Sequence, residues 1–150
     1  MCTTDGAPPA PTYLAQWRHI VDAGPPDVIV ARTAAWATAH NWGLSMFADD
    51  VALIVAEFTS DAWTNGRPPI VVTLRLEDRA LAIEVSDTAA GMPVFRGPGL
   101  LGVHGRGLPA AAAIADEIGI VADARGKTVW ARLRFRWAVS AESGPGAAAA

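Results

Sequence analysis

The stretch that decides the fold is residues 45–65, "SMFADDVALIVAEFTSDAWTN", which predicts a long amphipathic helix. Its apolar side chains recur at steps of three and four, as they do on a helix with one face against a core. Ser45 or a neighbour is expected to cap the N-terminus of this helix. The apolar stripe consists of Val51, Ile54, Val55, Phe58 and Ala62.

After this helix the period of the pattern changes. Residues 69–77 ("PIVVTLRLE") and 79–87 ("RALAIEVSD") alternate in polarity as strands do, and residues 77–79 between them predict a hairpin turn. Residues 88–107 then form a Gly- and Pro-rich stretch without a clear element. Loops of that length are uncommon in compact domains and are usually functional.

The C-terminal half predicts one more helix and two more strands. Residues 108–119 ("LPAAAAIADEIG") predict an Ala-rich helix. Residues 119–124 ("GIVADA") and 127–137 ("KTVWARLRFRW") predict a second hairpin.

The N-terminal part predicts two further helices. Residues 13–24 ("YLAQWRHIVDAG") predict a short helix that ends at a glycine followed by two prolines. Asp27 is the expected N-cap of a second helix that ends at Gly43. Trp36 in that helix is expected to pack inward.

The order of elements is helices, two strands, loop, helix, two strands. This order predicts an α+β fold, a two-layer α/β sandwich with helices on one face of a mixed, mainly antiparallel sheet. We expect disordered tails at residues 1–12 and 139–150 and a single domain over residues 13–138.

Composition narrows the class of protein. The chain has 150 residues, of which 51% are hydrophobic and 18% charged, which fits one globular domain. The net charge of -3 argues against nucleic acid as a partner. The single cysteine, Cys2, excludes an internal disulfide. The sequence shows no secretory signal and no apolar run long enough to span a membrane, so we expect a cytoplasmic protein.

Three groups of residues are candidates for a functional site. Glu57 and Asp61 lie one turn apart on the same side of a helix, where they are either solvent-facing charges or a base and a metal ligand. Asp87 ends an apolar strand four residues before Gly91; it either forms an Asx-type turn or accepts a hydrogen bond from an exocyclic amine such as that of adenine. Residues 102–108 ("GVHGRGL") lead into a helix and are either a mobile connection or a phosphate-binding loop.

Taken in order, these segments resemble the GHKL, or Bergerat-fold, ATP-binding domains. The resemblance covers residues 28–135 and is greatest to small bacterial domains related to anti-sigma-factor serine kinases. Four boxes carry it: "ADDVALIVAEFTSDAW" (48–63), "LAIEVSDTAAGMP" (81–93), "HGRGLPAAAAIAD" (104–116) and "GKTVWARL" (126–133).

The resemblance implies a Bergerat fold, ATP and Mg²⁺ as cofactors, and a role for each matching residue. Glu57 matches the catalytic base. Asp61 stands where the family has a metal-binding asparagine, and Asn65 stands where many relatives have a histidine. Asp87 matches the aspartate that binds adenine. The implied cofactor-binding residues are Asp61, Asn65, Asp87, Gly91, Met92, Gly105, Arg106, Gly107, Leu108 and Thr128, with Asp61 also the implied metal ligand.

The resemblance also implies partners. We expect a sigma factor, an anti-sigma antagonist protein, or both, and no nucleic acid or membrane. A homodimer is expected to use Tyr13, Trp17 and Ile20. Three functions stay open: an ATP-binding protein like the serine/threonine kinases, which phosphorylates or sequesters a partner with ATP and Mg²⁺; a catalytically inactive module that regulates a partner by contact; and a scaffold whose nucleotide site is lost.

Overall fold

The computed structural model describes residues 12–22, 24–90 and 107–139, and of residues 107 and 108 the backbone alone. These parts of the chain contain five strands, three α-helices and one short 3₁₀ turn. In chain order they are β1 (Ala15–Val21), α1 (Pro25–Asn41), the 3₁₀ turn (Ser45–Phe47), α2 (Ala48–Asn65), β2 (Ile70–Leu76), β3 (Ala80–Asp87), α3 (Gly107–Ile114), β4 (Glu117–Asp123) and β5 (Gly126–Arg134). None of the helices in these parts is long and apolar enough to cross a lipid bilayer.

The strands form one sheet in the order β1-β2-β3-β5-β4, and each pairing between these described strands is antiparallel. The predicted α+β two-layer sandwich is confirmed, and both predicted hairpins are present. The turn of the first hairpin closes with a hydrogen bond from the Glu77 N–H to the Ala80 carbonyl, 2.8 Å long.

The core lies between α2 and one face of the sheet. The whole predicted apolar stripe of α2 is buried. Alternate residues of the strands face it, since successive side chains of a strand point to opposite faces. The largest of these fully buried strand residues are Ile70, Leu74, Leu76, Leu81 and Ile83.

The prediction of a helix at residues 13–24 is wrong, because residues 15–21 form strand β1. Gln16, Arg18 and Ile20 are exposed, while the residues between them are half-buried and Val21 is fully buried. β1 pairs with β2 along its whole length, from Ala15 opposite Leu76 to Val21 opposite Ile70. Pairing at the edge of a sheet therefore overrides the local helical composition of this segment.

Two predictions for α1 are wrong, namely the residue at its N-cap and the inward packing of Trp36. Gly24, not Asp27, occupies the N-cap, and the helix begins at Pro25. The Asp27 carboxylate lies in the first turn, where it accepts a hydrogen bond from the Asp22 N–H at 3.1 Å. Trp36 is 40% exposed instead of packed inward. The buried positions of α1 are all alanines, which let the backbones of α1 and α2 approach closely; they are Ala31, Ala35 and Ala39.

Two further boundaries differ from the predictions. Ser45 begins the 3₁₀ turn and provides no side-chain cap for α2. The Ala-rich helix α3 ends at Ile114, because residues from Glu117 onward pair with β5 as strand β4. The hydrogen bonds of this pairing replace those that a longer helix would have made.

Ion pairs cover the face of the sheet that points away from the helices. Arg75 pairs there with Glu84, and Arg132 pairs with Glu77 and Glu117. The hydrogen bond that Arg132 donates to the Glu77 carboxylate raises the pKa of Arg132 above its ordinary value, although partial burial opposes the shift. The Arg132 guanidinium therefore stays charged at any physiological pH.

Candidate functional site

A polar stripe runs along α2. Glu57, Asp61 and Asn65 are spaced by four residues, so they lie on one side of the helix over about 12 Å at 1.5 Å per residue. The Asn65 amide Nδ2 donates to Asp61 Oδ1 at 2.9 Å. Glu57 and Asp61 are half-buried, and Asn65 is exposed. The structure therefore brings Asp61 and Asn65 together at the C-terminal end of the helix.

Glu57 also lines a groove of about 500 Å³ between α1 and α2. The Trp36 indole N–H donates across this groove to Asp49 Oδ1 at 3.0 Å. The groove was not predicted, because Trp36 was expected to face the core. Its other lining residues are Arg32, Thr33, Ala52, Leu53 and Ala56.

Asp87 ends β3 on the side of the sheet that faces the helices, and only 2% of its side chain is exposed. Its Oδ1 atom accepts hydrogen bonds from the Ala89 N–H at 2.8 Å and from the Arg67 N–H at 3.4 Å. The bond from Ala89 is the Asx-type turn that was one interpretation of the sequence. This turn fixes the carboxylate and leaves Oδ2 for other partners, so it is compatible with ligand binding.

The partner of Oδ2 was not predicted. Lys127 Nζ lies 2.7 Å from Asp87 Oδ2, and 9% of the lysine side chain is exposed. The two residues are directly opposite each other in the β3–β5 pairing, where Ser86 pairs with Thr128. Because side chains alternate between faces, Thr128 points to the face of the sheet opposite Asp87. The structure therefore does not bring Thr128 to the Asp87 carboxylate and places Lys127 there instead.

The end of α2 packs directly against Asp87. A Cβ atom added to Gly66 would lie 2.5 Å from Asp87 Oδ2 and 2.5 Å from the Ala62 carbonyl oxygen, so this contact requires glycine. The Thr88 N–H donates to the Arg67 carbonyl at 2.9 Å, and the Thr88 hydroxyl donates to the Pro68 carbonyl at 2.9 Å. These bonds fix the start of the loop after β3 to the segment after α2.

Gly126 supports the same site from β5. A Cβ atom there would lie 2.1 Å from the Asp87 carbonyl oxygen, and its φ of 154° is one that other residues rarely adopt. Gly126→Ala is therefore expected to lower the free energy of unfolding by about 2–4 kcal/mol, from strain and overlap together. Chemical denaturation followed by circular dichroism measures this change.

The matched control for Gly126→Ala is Gly43→Ala. Gly43 also has a positive φ, 77°, but nothing lies within 4 Å of its added Cβ atom. Its replacement should cost about 1–2 kcal/mol, from the backbone conformation alone. Equal losses for the two variants would show that the predicted overlap with Asp87 relaxes without cost.

The residues on α2 fit a magnesium ion held by few protein ligands. Asp61 Oδ1 is fixed by Asn65, and among the described residues no hydrogen bond engages its Oδ2. A carboxylate oxygen is a hard ligand, and Mg²⁺ is commonly bound by one or two carboxylates together with phosphates and water. Within the described ranges, no group of three or more His, Cys, Asp or Glu residues could hold a metal ion.

The predicted phosphate loop is described only at its end. Gly107 and Leu108 form the start of α3, and a helix N-terminus directs N–H groups toward anions. The other predicted contacts, Gly91, Met92, Gly105 and Arg106, lie outside the described residues. Their roles, like those of the other predicted site residues, stay predictions.

Comparison with protein families agrees with this architecture. The model of the Histidine kinase-like ATPase domain matches residues 7–133, which is most of the chain. No curated protein gives a significant match. This match agrees with the structure, in which helices cover one face of an antiparallel sheet and a buried aspartate ends β3. The chain therefore belongs to the family of histidine kinase-like ATPase domains, which bind ATP.

Proposed function

We propose that this protein binds ATP with Mg²⁺ and transfers the γ-phosphoryl group to a serine or threonine of a partner protein. The acceptor would be an anti-sigma antagonist in the cytoplasm, and a sigma factor would be a partner that the protein sequesters, as the resemblance to anti-sigma-factor kinases implies. One observation carries the proposal: the buried Asp87 carboxylate packs against the end of the helix that bears Glu57 and Asp61.

In this proposal Asp87 binds the adenine base. Its carboxylate is fixed by backbone N–H groups of Ala89 and Arg67, so it does not have to reorganise when a ligand arrives. The exocyclic amine of adenine would donate to the remaining capacity of Oδ2. Buried polar contacts of this kind discriminate strongly against ligands that lack the donor.

Asp61, held in place by the Asn65 amide, would bind the metal ion close to the phosphates. When bound, Mg²⁺ neutralises phosphate charge and orients the γ-phosphoryl group for in-line transfer. Asp61 differs from the family's asparagine by a full negative charge, which repels nucleotide that carries no metal. Dependence on Mg²⁺ should therefore be stronger here than with an asparagine.

Glu57 would act as the general base. Its carboxylate takes the proton of the acceptor hydroxyl as the hydroxyl oxygen forms a bond to the γ-phosphorus atom. The bond from that phosphorus to the β,γ-bridging oxygen breaks, and ADP leaves. The half-buried position of Glu57 in the groove between α1 and α2 leaves it accessible to a side chain of a docked partner.

Calorimetric titration of ATP into the purified protein, with Mg²⁺ or with EDTA, tests the proposal. We expect binding with Mg²⁺ and affinity at least about tenfold lower in EDTA, because an uncompensated carboxylate near phosphate costs more than 1.4 kcal/mol. Asp61→Asn should bind metal-free ATP more tightly than the natural protein does and so reduce the effect of EDTA.

The same titration distinguishes the alternative, a catalytically inactive module that regulates a partner by contact. The observation that favours it is the exposed apolar surface of α1, where Ile29 is 63% and Val30 52% exposed. If ATP binds only after Asp61→Asn, regulation of a partner by contact alone explains the natural protein better. In that case Glu57→Ala should leave binding of the partner intact.

A further inference from the structure

We propose that Lys127 is a specificity-determining residue that donates a hydrogen bond to N1 of adenine, beside the contact of Asp87 with the exocyclic amine. This inference rests on the proposed binding of ATP and extends it to a residue at which the family resemblance assigned no role. It depends on two observations, the burial of the Lys127 ammonium and the number of acceptors around it.

Within residues 12–22, 24–90 and 107–139, the Lys127 ammonium has more N–H donors than acceptors around it. An ammonium group carries three N–H donors. Among the described residues, Asp87 Oδ2 is the one acceptor that contacts Lys127 Nζ, although the lysine side chain is nine-tenths buried. Buried polar groups usually have their hydrogen bonds satisfied, so a ligand that offers an acceptor here would complete the set of hydrogen bonds around Lys127 Nζ.

The Asp87 carboxylate complements these donors, because most of its acceptor positions are filled and, within the described residues, about one is open. Its Oδ1 accepts two backbone N–H groups, and its Oδ2 accepts the Lys127 ammonium. A carboxylate has about four acceptor positions, so the part of the chain that the structure describes leaves about one of them open, on Oδ2. The ion pair therefore presents one free acceptor position and free donors on two atoms that lie 2.7 Å apart.

This arrangement matches the Watson–Crick edge of adenine. That edge carries a donor, the N6 amino group, directly beside an acceptor, N1. The N6 group can donate to Asp87 Oδ2 while N1 accepts from Lys127 Nζ, as two parallel hydrogen bonds. Both protein groups keep their mutual contact, so the base does not have to break a buried ion pair to bind.

The test compares ATP with analogues that lack one ring nitrogen. We expect the natural protein, with Mg²⁺, to bind 1-deaza-ATP about 10- to 100-fold more weakly than ATP, the effect of losing a hydrogen bond to a charged group. The control ligand, 7-deaza-ATP, lacks a nitrogen on the other side of the base and should bind about as tightly as ATP. Calorimetry gives all three dissociation constants.

The matching variant is Lys127→Met, which keeps the length of the side chain and removes its donors. It should bind ATP and 1-deaza-ATP about equally. If Lys127→Met fails to fold, Lys127→Gln is the substitute: its amide can still donate to Asp87, but its side chain is too short to donate to N1 as well, so it too should bind ATP and 1-deaza-ATP about equally. The comparison of ligands on the natural protein needs no variant.

Each outcome decides a separate point. Equal affinity of the natural protein for ATP and 1-deaza-ATP overturns the role of Lys127 and leaves the proposed function intact. If Lys127→Met prefers ATP over 1-deaza-ATP as strongly as the natural protein does, another group donates to N1, and the role of Lys127 is again overturned. Failure of the natural protein to bind ATP at all overturns the proposed function, and this inference with it.

Discussion

Asp87→Asn is expected to lower the free energy of unfolding by about 3–5 kcal/mol, because it leaves the buried Lys127 ammonium without a charged partner. The same change should remove measurable ATP binding, since the amide that replaces the carboxylate presents an N–H donor where an acceptor is needed. Urea denaturation followed by Trp fluorescence measures the first effect. Titration with ATP and Mg²⁺, at a temperature where the variant is folded, measures the second.

Two controls separate the charge effect from the shape of the side chain. Adding Lys127→Met to Asp87→Asn removes the unpaired charge, so the double variant should recover a large part of the lost stability. Asp61→Asn makes the same chemical change at a half-exposed position and should alter stability little. If Asp87→Asn is as stable as Asp61→Asn, the ion pair contributes nothing net to the fold.

Glu57→Gln is expected to lower the rate of phosphoryl transfer by about 100- to 10,000-fold, the usual contribution of a general base. ATP affinity should stay within about threefold, because the charge lies beyond the groups proposed to bind base and metal. The rate is measured as release of phosphate from ATP, with water as acceptor. When a partner is present, it is measured as phosphoserine or phosphothreonine formed.

Asp49→Asn is the matched control for Glu57→Gln. Asp49 is a carboxylate that lines the same groove, but the proposed function does not use it. Its replacement should leave the rate of phosphate release near that of the natural protein. Equal losses in the two variants would make the electrostatics of the groove, and not a base at Glu57, responsible for the effect.

The elements with strong periodic patterns could be predicted from the sequence. The apolar stripe of α2 and the alternation of β2 and β3 identified the core and its main helix. β1 could not be identified in this way, because its pairing with β2 is a contact between distant residues that local composition does not encode. The family match confirms the ATPase fold, while the kinase activity and the partners stay predictions.

Within the site, Asp87 was found from its position after an apolar strand, and Lys127 was missed. A signal was present, because Lys127 shares alternate positions with Val129, Ala131 and Leu133, all of which are buried. A lysine on the apolar face of a strand needs a buried acceptor. That acceptor can be named only when the register of β3 against β5 is known, and register depends on the whole sheet.

The hydrogen bonds that join the end of α2 to Asp87 and Thr88 have a thermodynamic consequence. Gly66, Arg67 and Thr88 connect the end of α2 to the carboxylate that is proposed to bind the base, so a displacement of α2 should move that carboxylate. A partner that binds the α1–α2 surface and favours one position of α2 would therefore change the affinity for ATP. By linkage, ATP must change the affinity for that partner by the same factor. The concentration of ATP would then control the fraction of the partner that is bound, even without phosphoryl transfer.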